Sequence, residues 1–229
     1  MTVRLAAIGY GAMARALETA LARRGDGLRL NAVLTRSPTA EGPTRFASVA
    51  DLIAARPQLV VECASHTAVR ETVPPLLAAG IDVVVASIGA LADPALVRKL
   101  DAAAAAGNAG LTVASGAIGG LDALRAARLA GLDTVIYEGR KPPVAWRGTP
   151  AETALDLDAL TSEAVVFEGT AQVSATLYPK NANVTAAVAL AGIGFERTRV
   201  KLIADPAARG NSHALTAEGA FGRFHITLA

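Results

Sequence analysis

"VRLAAIGYGAMARALETALARRG" (residues 3–25) joins an apolar run to a stretch of strong helix formers through a glycine-bearing turn. "VRLAAIG" lacks the alternation of a half-exposed strand and reads as one buried on both faces, as in a parallel sheet. "AMARALETALARRG" is rich in Ala, Leu, Arg and Glu, the composition of a helix. Between them, "GYGAMA" follows the pattern G-x-G-x-x-A. The first glycine permits a tight turn, the second lets backbone N–H groups approach a pyrophosphate, and Ala14 is small enough where helix meets strand. The placement predicts dinucleotide binding, with Gly9, Gly11, Ala12 and Met13 at the cofactor.

The pattern continues downstream as apolar strands alternating with helical stretches. Strands are expected at 28–34, 59–65, 82–87 and 110–116, with helices across "AVRETVPPLLAAG" and "PALVRKLDAAAAAG". After Gly116 a helix "GGLDALRAARLAG" precedes longer strand candidates at 132–138, 164–176, 198–204, 213–218 and 222–228, with a helix at 183–193. Period-two runs such as "TRVKLIAD" point to a mixed sheet. The expected fold is α/β: an N-terminal Rossmann domain with a doubly wound parallel sheet (1–116), then an α+β mixed-sheet domain for substrate binding and dimerisation (117–229). The cleft between domains is the default site.

Composition narrows the function. The chain has 229 residues, 52% hydrophobic, and a net charge of +2 from 22 Lys and Arg against 20 Asp and Glu. The charges are interspersed, so no nucleic-acid partner is expected. Cys63 is the sole cysteine, which excludes an intrachain disulfide, and His66, His213 and His225 lack paired-ligand spacing, so no metal is expected. No apolar run is long enough to span a bilayer, and the N-terminus reads as a strand and not a leader, so a cytoplasmic protein without a membrane partner is expected.

Cofactor choice rests on the end of the second strand, where an NAD-selective fold usually places an acid. Thr35, Arg36 and Ser37 stand there instead. Hydroxyls and a guanidinium suit a 2′-phosphate, so both NAD and NADP are expected as cofactors. Ala64 of "ECAS" and Ser87 and Gly89 of "SIGAL" fall at strand ends that face the cofactor crevice.

The blocks "IGYGAMA", "VVECASHTAVRE", "SIGALAD", "ASGAIGGLDAL", "YPKNANVTAAVALAG" and "ADPAARGNSHALTAEGAFG" together resemble the L-aspartate dehydrogenase family over nearly the whole chain. The resemblance implies oxidation of L-aspartate to iminoaspartate with hydride transfer to a nicotinamide cofactor. Iminoaspartate then yields oxaloacetate and ammonia or feeds pyridine nucleotide biosynthesis. It also implies a homodimer. Family members usually continue past the last strand with an "NPKTS"-like segment and a returning helix; this chain stops at "FHITLA", so that segment is expected to be absent.

By the same resemblance, "GNSHAL" supplies His213 as the catalytic acid/base, a role suited to a side chain that titrates near neutrality. Asn211 beside it is expected to orient the ring and contact substrate. Asn183 is placed at the nicotinamide, Lys180 and Asn181 at the substrate, and Ala117 against the cofactor. His66 and His225 are read as structural. Two alternatives remain open at this point: another aspartate-pathway oxidoreductase resembling homoserine dehydrogenase, and a catalytically silent nucleotide-binding sensor or scaffold.

Overall fold

The computed structural model describes residues 3–36, 42–179 and 182–229. Ser37, Lys180 and Asn181, assigned roles above, lie outside them. The chain divides into two compact units, residues 1–114 and 115–229.

In the first unit the chain runs β1 (Arg4–Ile8), α1 (Ala12–Arg24), β2 (Arg29–Leu34), β3 (Thr44–Phe46), α2 (Val49–Ala54), β4 (Leu59–Glu62), α3 (His66–Ala78), β5 (Asp82–Val85), a 3-10 turn (Ile88–Ala92), α4 (Pro94–Gly107) and β6 (Leu111–Val113). The strands form a parallel six-stranded sheet in the order β3-β2-β1-β4-β5-β6. This is the doubly wound order, in which the chain reverses direction across the sheet between β1 and β4. Leu5 and Ala7 of β1 and Leu30 and Val33 of β2 pack with Ala14 and Leu21 of α1 as a buried cluster. The apolar runs are buried because helices cover both faces of the sheet.

Helix starts follow local chemistry. The Ser48 and Ser65 hydroxyls accept from the N–H groups of Asp51 and Ala68 at the heads of α2 and α3, and the Asp93 carboxylate accepts from Ala95 at the head of α4. β3 and α2 went unread in the sequence because they are short and border a segment rich in Pro, Ser and Thr.

The second unit comprises α5 (Leu121–Leu129), β7 (Leu132–Lys141), a 3-10 turn (Pro143–Trp146), α6 (Ala151–Ala154), β8 (Ala164–Thr170), α7 (Ala171–Leu177), α8 (Ala182–Ala191), β9 (Arg199–Ala204), β10 (Ser212–Gly219) and β11 (Gly222–Leu228). Its five-stranded sheet has the order β11-β10-β7-β9-β8, with only β7 and β9 parallel. Alternation puts Val135 and Tyr137 of β7 and His213, Leu215 and Ala217 of β10 on the buried face.

One expectation is corrected. The strand read at 164–176 ends at Thr170, and residues 171–177 form α7. Thr170 accepts from the N–H of Val173 as an N-cap, and "AQVSATL" then buries Ala171, Ser174 and Ala175 at helical spacing. Among the described residues no helix is long and apolar enough to cross a membrane.

Candidate active site

In the first unit, the turn after β1 is built by close approach. Gly9 has φ +84°, and a Cβ placed on it would fall 2.9 Å from the Ala64 Cβ, so only glycine fits between this turn and the one after β4. Its N–H donates to the carbonyl of Leu34 at 2.9 Å, tying the turn to the end of β2.

Gly11 is the extended N-cap of α1 and brings no side-chain acceptor, while a Cβ there would meet nothing within 4 Å. Among the described residues no side chain caps the first turn of α1, to which Ala12 and Met13 belong. A helix N-terminus in that condition is an anion site.

Beside this turn lies a cleft of about 650 Å3 whose lining includes Gly9, Thr35, Arg36, Ala64 and Ser65. The residues fit a nicotinamide dinucleotide: a glycine turn and uncapped helix for the pyrophosphate, and a hydroxyl and a guanidinium at the end of β2 for the ribose. Arg45 of β3 donates from Nε to the carbonyl of Thr35 at 3.1 Å and from Nη2 to that of Arg36 at 3.0 Å, so it shapes the backbone that carries both. Ser87 opens the 3-10 turn after β5 and is nearly buried, and Gly89 is buried within that turn.

In the second unit His213 is the second residue of β10 and is 8% exposed. Its Nδ1 and the hydroxyl of Tyr137 are hydrogen bonded at 2.9 Å, and the two rings stack with centroids 6.0 Å apart. Gly139 lies directly opposite His213 across the β7–β10 ladder. A Cβ on Gly139 would come 2.8 Å from the Tyr137 hydroxyl, so the glycine makes the room in which the phenol reaches the imidazole. Burial, and then the charge of Lys141, hold the His213 pKa below its ordinary value. Burial also lowers that of Lys141 and raises that of Tyr137, which keeps the phenol protonated. The site thus offers an imidazole biased toward its neutral form, hydrogen bonded at one nitrogen, with Lys141 adding to that bias.

Tyr137, Gly139 and Lys141 belong to "YEGRK", which the sequence analysis did not single out. Their signal was the alternation of β7 alone, because the pairing with β10 spans more than seventy residues. Asn211 is exposed ahead of β10, Asn183 is half-buried in the first turn of α8, and Ala117 is exposed ahead of α5. His225 lies on the opposite sheet face, its ring hydrogen bonded to the hydroxyls of Thr216 and Thr227.

Residues 122–229 match the family described as aspartate dehydrogenase, C-terminal, and residues 9–114 match the homoserine dehydrogenase NAD binding domain. The L-aspartate dehydrogenase of Ralstonia nicotianae is 53% identical over 197 residues, covering 86% of this chain and 72% of that protein.

The chain belongs to the L-aspartate dehydrogenase family.

The family member from Ruegeria pomeroyi is 47% identical over 232 residues, covering 99% of this chain and 83% of its own length. Other L-aspartate dehydrogenases are matched over 65% of their length. The crystal structure of aspartate dehydrogenase from Thermotoga maritima shares the fold with a TM-score of 0.81 at 27% identity, covering all of this chain and 90% of that one. The homoserine dehydrogenase match is confined to the NAD-binding half, so the alternative of a homoserine dehydrogenase-like enzyme is not favoured.

Proposed function

We infer that this chain is an NAD(P)-dependent L-aspartate dehydrogenase, and that His213 is its acid/base. The observation that carries the assignment is the buried imidazole of His213, hydrogen bonded through Nδ1 to Tyr137, where burial lowers its pKa. The cleft lined by Gly9, Thr35 and Arg36, with the Gly11 turn beside it, would hold a nicotinamide dinucleotide, which would supply the hydride acceptor needed to convert L-aspartate to iminoaspartate. His213 serves this at Nε2: it takes a proton from the substrate ammonium group and releases it to solvent. It then takes a second proton from the water that attacks the imine carbon and returns that one to the departing amine, giving oxaloacetate and ammonia. For Nε2 to hold a lone pair, the proton of the neutral ring sits on Nδ1 and is donated to the Tyr137 oxygen. Lys141 and Lys180 supply positive charge for a dicarboxylate substrate, and Asn181 and Asn211 supply amides for its carboxyl groups. Asn183 and Ala117 are proposed nicotinamide contacts.

The test follows reduced nicotinamide by its absorbance, with aspartate, homoserine and no substrate, in wild type and in His213→Ala. Turnover with aspartate should fall by about two to four orders of magnitude in the variant, with cofactor affinity retained. A variant that keeps wild-type turnover would remove His213 from the chemistry, and a wild type inactive on aspartate would remove the substrate assignment.

The enzyme is further proposed to be a cytoplasmic homodimer that feeds iminoaspartate to pyridine nucleotide biosynthesis. Two features support this. The outer face of the mixed sheet carries exposed Ile136 on β7 and Val165 on β8, apolar surface that a second copy would cover. A single cysteine also suits a reducing compartment that holds the nicotinamide pool. Sedimentation velocity reads the mass directly; a monomer at micromolar concentration would exclude the dimer.

A further inference from the structure

Glu62, the last residue of β4, is a fully buried carboxylate whose hydrogen-bonding partners are backbone N–H groups and one hydroxyl. Its Oε1 accepts from the N–H of Ala64 at 2.8 Å, the N–H of Ser65 at 3.0 Å and the hydroxyl of Ser87 at 2.9 Å. Its Oε2 accepts from the N–H of Ser87 at 2.9 Å. The two oxygens of a carboxylate present about four acceptor directions, and here four donors meet them. Two of those donors belong to the turn after β4 and two to the turn after β5. One side chain therefore links two consecutive strand-to-helix turns of the parallel sheet, at the carboxyl ends of its strands.

The linkage reaches a third turn. Ala64, held by Glu62, is the residue against which Gly9 packs so closely that a Cβ would not fit. Cys63 donates its N–H to the carbonyl of Ile8 at 3.0 Å, closing the same corner from the backbone. Gly9, Ala64 and Ser65 all line the cleft described above. A buried carboxylate is a costly way to fill a core, and apolar packing would suffice if the turns needed only to be covered. What an apolar residue could not supply is acceptors for three peptide N–H groups that no strand or helix ladder satisfies.

We propose that Glu62 is a positioning residue for the dinucleotide: it sets the turns after β4 and β5, and through Ala64 the Gly9 turn, before the cofactor arrives. The proposal rests on dinucleotide binding by this cleft. It also accounts for Ser87, whose hydroxyl and N–H are both directed at Glu62. Ser87 then acts as part of the scaffold under the cofactor.

The test is Glu62→Gln, which preserves shape but turns an amide NH2 toward one set of donors. Binding of NADPH to the purified full chain, followed by its fluorescence, should weaken by about tenfold or more through loss of preorganisation. Turnover at saturating cofactor should stay within a few-fold of wild type, so the effect falls on cofactor KM and not on kcat. A folded Glu62→Gln that binds NADPH as tightly as wild type would overturn the proposal, even with a lowered Tm, because that result is a stability role alone. Failure of wild type to bind either NADH or NADPH would instead overturn the reading of the cleft.

If Glu62→Gln does not fold, amide hydrogen exchange on the cofactor-free wild type decides. Slow exchange at Ala64, Ser65 and Ser87 supports turns already set by Glu62, and exchange as fast as in exposed loops overturns it.

Discussion

The hydroxyl of Tyr137 and Nδ1 of His213 lie 2.9 Å apart on neighbouring antiparallel strands, both nearly buried. The strands fix this pair, because residue 213 faces 139 and residue 215 faces 137 in the ladder, so both side chains project from the same face. Tyr137 then leans along its own strand, over Gly139, to reach the ring. A phenol that accepts from Nδ1 keeps the proton of the neutral ring on that nitrogen and leaves the Nε2 lone pair free.

Tyr137→Phe removes that selection with little change in volume. A hydrogen bond between neutral groups contributes about 0.5–1.5 kcal/mol, so kcat/KM for aspartate should fall by up to about tenfold. NADPH affinity should not change. Equal losses in both would show that the phenol supports the fold of the unit and not the ring. Gly139→Ala is expected to mimic the loss, since its Cβ would press on the same hydroxyl.

The pH profile follows from His213. Its folded value lies below the ordinary 6.5, chiefly through burial and then through Lys141. The neutral, working form therefore persists to lower pH than in a free imidazole, and the acid limb of kcat/KM should fall below pH 6.5. The sign for stability agrees: the unfolded chain takes up the proton first, so this contribution is complete above 6.5 and is lost as pH falls through the folded value. Lys141→Met keeps the stem beside Trp146 but removes the charge, and should move the acid limb upward, toward 6.5. An unmoved limb would separate the lysine from the imidazole.

Gly11→Val tests the phosphate turn without touching the core. The position is extended and a Cβ there meets no atom within 4 Å, so Tm should stay close to wild type. The branched side chain would occupy the space in front of the α1 N–H groups. NADP binding by calorimetry should weaken by about two orders of magnitude, ~2.7 kcal/mol. Unchanged affinity would take the pyrophosphate away from "GYGAMA".

Arg36 borders the same cleft and is exposed at the end of β2, its backbone held by Arg45. A guanidinium on a 2′-phosphate contributes about 1.5–3 kcal/mol, or one to two decades of affinity. Arg36→Ala should weaken NADP by that amount and leave NAD nearly unchanged, and Thr35→Asp should shift preference toward NAD. Dissociation constants for both cofactors read this directly; parallel losses would show that Arg36 does not distinguish them.

The first unit could be read from the chain because its information is local. A strand buried on both faces is a continuous apolar run, and a phosphate turn is a glycine spacing, so "VRLAAIGYGAMA" states both within twelve residues. The helix at 171–177 escaped for a local reason as well: the one glycine in "VVFEGTAQVSATL", Gly169, lies within the strand, and the cap made by Thr170 marks where strand gives way to helix. The acid/base histidine was visible in "GNSHAL", but its partner was not. Tyr137 sits seventy-six residues earlier in a strand whose register against β10 no local pattern specifies. The same holds for Glu62, quoted within "VVECAS" as part of an apolar strand. That its carboxylate is buried, and that three turns converge on it, depends on which strands become neighbours, and strand neighbours are settled by the packing of the whole sheet.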